Sequence, residues 1–165
     1  MSRRILSEYI ALAVATLVFV AVLFPVTLTS ASPQAQAFAA TVQPLGGLVQ
    51  ELKAGQSTWQ TINRAGLLSN GDQLRTGDHG AVLVTTATGV KISVYPDTII
   101  QLDNLSLAAD SSALTFIISQ PLGITYTDIG RTLKPGDLVQ VVTPTVAASV
   151  HGTKFYTFVG TTGHT

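Results

Sequence analysis

The run Val90-Lys91-Ile92-Ser93-Val94-Tyr95 alternates without a slip, with Val90, Ile92 and Val94 on one side and Lys91, Ser93 and Tyr95 on the other. A period of two is the mark of an extended strand with one face buried. Runs of similar character lie at 82–86, 98–102, 114–118, 124–127, 138–142 and 154–159. They are rich in Val, Ile, Thr and aromatics, which suit a pleated, half-buried surface. Turn-forming clusters separate them at 69–72 (SNGD), 76–80 (TGDHG), 87–89 (ATG) and 134–137 (KPGD). Only 60–68 has the character of a helical turn, and Gly66 weakens it. Short strands with regular turns predict an all-β domain, a β-sandwich or a β-solenoid-like fold. Gly71-Asp72 and Gly136-Asp137 each open a strand-like run, an echo that suits a two-lobed β architecture.

Ahead of this domain, 9–28 reads YIALAVATLVFVAVLFPVTL, twenty residues without a charge. As a helix it would be ~30 Å long, the thickness of a bilayer core. Arg3 and Arg4 precede it, which predicts a cytoplasmic N-terminus (1–8) and an extracytoplasmic remainder, periplasmic or at the cell surface. Ala35-Gln36-Ala37 and Ala37-Phe38-Ala39 offer small-residue cleavage sites, so a removed signal peptide stands as the alternative. The run is longer than a signal core, which favours a single-pass transmembrane anchor. Residues 29–41 read as a linker, with the β domain over 42–165.

Charge and composition exclude several functions. The 42–165 segment holds seven basic and eight acidic residues, with no basic stripe for nucleic acid. The absence of Cys removes disulfides, Cys-based zinc sites and thiol catalysis. Ser149 and His151 with an Asp can be drawn as a catalytic triad. On a strand, however, residues i and i+2 lie side by side, and no G-x-S-x-G turn is present, so no catalytic residue is assigned. His79, His151 and His164 lack metal-ligand spacing. Asp72, Asp78 and Asp137 lack a calcium-loop pattern and are expected to cap turns. No metal or cofactor is expected. Trp59 is expected in the core, its functional reading being a carbohydrate platform or interface anchor. Arg75 is expected to donate across strands or to a turn rather than to bind a ligand.

In order along the chain come LLSNGDQLRT (67–76) with Gly77, GAVL (80–83), GVKISV (89–94), PDT (96–98), VVTP (141–144) and VHGTKF (150–155). This series resembles the FecR domain family over roughly 46–159. The family pattern matches at Gly71, Asp72, Arg75, Thr76, Gly77, Thr143, Pro144, Gly152 and Thr153, positions expected to be structural. His151 stands where the family has Arg, and Lys154 replaces an acidic or polar residue. Family domains continue with another hairpin beyond the point matching Thr165. Family regulators also carry a cytoplasmic segment that binds a sigma factor, and only eight residues precede the apolar run here. The resemblance implies an extracytoplasmic β domain that binds an envelope protein, in sensing, signalling or scaffolding. A module for cell-wall polysaccharide is the alternative. Within the last stretch, 137–143 is expected to be one strand, broken at Thr143-Pro144 and resumed over 146–159. Gly152 would mark a bulge, and His151 would lie on a strand face as a possible interaction residue.

Overall fold

The computed structural model describes residues 36–108, 113–150 and 154–161. The expected anchor at 9–28 lies outside the described residues, as do His151, Gly152, Thr153 and His164. The described residues are all-β, and none of them forms a helix long and apolar enough to cross a membrane. The strands are β1 (Gln36–Ala37), β2 (Ala40–Gly46), β3 (Val49–Leu52), β4 (Gln60–Thr61), β5 (Gly66–Leu68), β6 (Gln73–Thr76), β7 (Ala81–Thr85), β8 (Val90–Val94), β9 (Ile99–Leu107), β10 (Leu114–Ile129), β11 (Leu138–Val142), β12 (Ala147–Val150) and β13 (Lys154–Val159).

They form one curled sheet, antiparallel except where β11 runs parallel to β10. The first half of β10 is flanked by β9 and β11, and the second half by β8 and β13. One half-sheet runs β4-β3-β6-β9-β10-β11-β12, and the other runs β5-β2-β7-β8-β10-β13. Apolar residues of both halves, among them Leu74, Leu102 and Phe116 from the first and Val42, Val84 and Ile92 from the second, share one buried cluster. Burial of such side chains supplies ~1.5–3 kcal/mol each before entropy is counted.

β10 is read from sequence as two strands, 114–118 and 124–127, but it is continuous over 16 residues. Its burial alternates on even numbers up to Gln120 and on odd numbers from Thr125. The phase flips across 120–123, where the register against β9 also shifts. Pro121 is exposed there, where its missing N–H costs little. Gly123 has φ of 94°, and a Cβ on it would lie 2.2 Å from Thr98 Oγ1. That hydroxyl accepts from Ile124 N–H at 2.9 Å, so the backbone must approach Thr98 closely for the strand to turn the corner.

Two further expectations are corrected. The 60–68 stretch contains β4 and β5 and no helical turn. The 146–159 stretch does not resume the strand before it. Thr143 clips the chain, with its N–H on Val146 O at 2.7 Å and its Oγ1 accepting from Val146 N–H at 3.1 Å. The chain therefore reverses, and β12 pairs antiparallel with β11, while β13 joins the other half-sheet beside β10.

Candidate functional site

Of the positions in the family pattern, Gly71, Asp72, Arg75, Thr76, Gly77, Thr143 and Pro144 are described, and they lie in β6 or in the turns. Asp72 is buried, and its carboxylate accepts from Ser69 N–H (2.8 Å), Ala54 N–H (2.9 Å) and Lys53 Nζ (2.9 Å). Burial alone would raise its pKa, but these donors outweigh it and hold the carboxyl below its ordinary value. Gly71 precedes it with φ of 86°. Gly77 N–H donates to Leu48 O at 2.9 Å. Thr143 and Pro144 line a crevice of about 310 Å³ together with Gln73, Gln101 and Ser119.

Arg75 sits directly across from Gln50 on β3 and donates Nε–H to its Oε1 at 2.8 Å. Its guanidinium also lies 4.3 Å from the centre of the Trp59 ring, a cation–π contact. Trp59 is therefore half-buried on the outer face and not a core residue. The single Trp is covered by an arginine, which a count of aromatics cannot foresee. From Arg75 a polar row continues over the same face. Gln73 donates to Gln101 (3.0 Å), Gln101 donates to Asp103 (2.8 Å), and Ser119 donates to the other oxygen of Asp103.

The other half-sheet presents a different outer face. Tyr156 on β13 lies opposite Tyr126 on β10, with ring centres 4.7 Å apart, and Tyr95 lies 6.3 Å from Tyr156. Tyr156 is 66 % exposed and Phe158, two residues along the same face, is 60 % exposed. The framework fixes this cluster. Thr76 Oγ1 donates to Tyr95 O at 2.6 Å, and Tyr95 N–H donates to Ile124 O at 3.1 Å. The Tyr156 hydroxyl, with a smaller effect of burial, raises the Tyr95 phenol above its ordinary value. Beneath the cluster, the fully buried Gln120 donates to Gly123 O (2.8 Å) and Thr157 O (3.2 Å) and accepts from Thr125 Oγ1 (2.7 Å). It ties β13 to the corner of β10.

Sequence reasoning named none of these aromatic residues as a site. The signal was present in Lys154-Phe155-Tyr156-Thr157-Phe158-Val159, where both alternating faces carry large apolar groups. A strand of that kind at the side of a sheet leaves one set in solvent.

Among the described residues, no group of three His, Asp or Glu gathers in a way that holds a metal. His79 is exposed, 3.5 Å from Asp78. The larger crevice, about 1020 Å³, is walled by the Arg131–Asp137 and Lys154–Asp128 ion pairs and opens to solvent. No family model, no curated protein and no solved structure matches this chain.

Proposed function

We propose that this chain is a membrane-anchored, non-enzymatic, FecR-like domain of sandwich type that works at the cell envelope by binding another protein. In this reading residues 9–28 span the membrane, the N-terminus is cytoplasmic and the β domain is extracytoplasmic. The observation that carries the interaction reading is the Tyr95, Tyr126, Tyr156 and Phe158 face beside β13. Among the described residues β13 pairs only with β10, so its other edge offers unpaired backbone groups next to exposed aromatics. Strand addition to such an edge is a recurrent mode of recognition, with backbone bonds for affinity and side-chain contacts for selectivity. Exposed aromatics of this size also act as interface anchors.

The second reading, a polysaccharide module, is favoured by the Trp59–Arg75 pair and the amide row beside it. The tyrosine rings suit it less. They tilt by 44° and 31° to their neighbours and make no flat platform for a sugar chain.

The test is a photo-crosslinking residue placed at Phe158 of the full chain in cell membranes, with Leu45, 58 % exposed, as the control position. Protein adducts at Phe158 and not at Leu45 are expected. Absence of adducts, combined with retention on peptidoglycan that Trp59→Ala abolishes, would replace the protein-binding reading with the polysaccharide one.

A further inference from the structure

The outermost strands of the half-sheets are β4, β12, β5 and β13, with 2, 4, 3 and 6 residues. Three of these edges are too short to template much pairing, a common protection against association. Among the described residues β13 lacks that protection. It has no Pro, its register with β10 runs unbroken from Gly123↔Val159 to Asp128↔Lys154, and Lys154 is its sole charge. From these facts we infer that β13 pairs antiparallel with β13 of a second copy of this chain, about a two-fold axis at Tyr156. The inference rests on the protein-binding reading and names the occupant of that edge.

Lys154, which has Asp128 of β10 at 3.4 Å, bears on the direction of pairing. With Tyr156 opposite its own copy, Lys154 falls opposite Phe158 of the other chain, and the ammonium meets an aromatic ring. The two Lys154 residues are then four positions apart along the strands, ~13 Å, beyond the screening length of ~8 Å at physiological salt. A parallel, in-register pair would bring them to ~4.8 Å. The antiparallel register therefore keeps the two Lys154–Asp128 pairs apart, and the parallel one would crowd them together. The outer surface becomes an aromatic ladder of Tyr126 and Tyr156 from each copy, and aromatic cross-strand pairs are favourable. A closed two-fold pairing consumes the β13 edge of each copy and leaves only the short edge strands, so association ends at the dimer. One strand pair is a small interface, hence weak in dilute solution. Confinement of both copies to one membrane raises their effective concentration.

The chain contains no Cys, so single cysteines report proximity cleanly. In full-length protein in neutral detergent, mild oxidation should link Tyr156→Cys to itself and leave Lys154→Cys monomeric. Sedimentation of the otherwise native chain supplies the second arm. Phe158→Lys places like charges opposite one another at both ends and should weaken dimerisation by more than ~10-fold, whereas Phe158→Glu faces Lys154 and should still dimerise. Equal linkage of both cysteine variants would overturn the antiparallel register. Failure of Tyr156→Cys to link, with wild-type protein monomeric at every concentration, would overturn self-pairing. Adducts of a different protein at Phe158 would in that case leave the wider interaction reading intact.

Discussion

The two Gly-Asp corners are built alike and lead to different neighbours. At 69–72 and at 134–137, a Gly with φ of 86° or 91° precedes an Asp. Each Asp N–H donates to the carbonyl three residues back, at 3.0 Å in both corners. Each carboxylate accepts from the N–H of that same residue, at 2.8 Å in both. Each takes a second backbone donor, Ala54 at 2.9 Å or Leu114 at 2.7 Å, and a cation, Lys53 or Arg131. Yet β6 leaves the first corner to pair antiparallel with β3 and β9, while β11 leaves the second to run parallel to β10. Four residues determine the turn, and distant strands determine what the turn delivers.

The corners also differ in how far their cations depend on them. Lys53 has Glu51 at 2.8 Å and Leu67 O at 2.8 Å besides Asp72, and its side chain is 38 % exposed. Arg131 is 22 % exposed, and among the described residues its ion pair is with Asp137 alone. Asp137→Ala should therefore be the more damaging of the two corner changes, about 3 kcal/mol or more, for two backbone donors left unsatisfied and a half-buried guanidinium left unpaired. Asp72→Ala should cost less, about 2–3 kcal/mol, mostly for backbone donors left unsatisfied. Urea unfolding of both variants checks the order, and equal losses would mean that Lys53 gains nothing from Glu51.

Next in size is the response to acid. At Asp137, as at Asp72, burial pushes the pKa upward. The Leu114 and Lys134 N–H groups and Arg131 overcome it and leave the carboxyl below its usual value. A folded pKa below the unfolded one means stability that is whole above about pH 4 and lost as pH falls through the lowered values. Thermal melts from pH 6 to pH 2 should show this fall, and it should be shallower in either Asp variant. The smallest effect concerns the glycines. A Cβ on Gly71 would lie 3.0 Å from Ala54 Cβ, against 3.4 Å from Ala113 Cβ for Gly136. Both positions have positive φ, so Gly71→Ala should cost about 1–2 kcal/mol and Gly136→Ala nearer 1 kcal/mol. A reversed order in chemical denaturation would show that Ala54 moves more freely than Ala113.

The corners were legible because their chemistry is local. Gly followed by Asp signals a positive φ and a carboxylate that closes the turn. The period-two face of Val90 to Val94 was legible for the same reason, and it is buried as the alternation requires. Residues 120–123, QPLG, imitate a turn and hide the continuity of β10, because the bend there is held by Thr98, more than 20 residues away in sequence. The aromatic face was illegible on the same grounds. Tyr95, Tyr126 and Tyr156 come together only through the pairing of β8, β10 and β13. Nothing within a few residues of any one of them announces the other two.

The sharing of β10 also has a consequence for timing. The strand joins both half-sheets, and it begins at Leu114, after most of their other strands have been made. Whether the chain emerges from a ribosome or a translocation pore, β2 to β9 must wait for residues 114–129 before the strand that joins the two half-sheets is present. Pairings of this sequence separation close slowly. β13 is the last of the described strands along the chain, so the tyrosine face is completed only after β8 and β10 have been made.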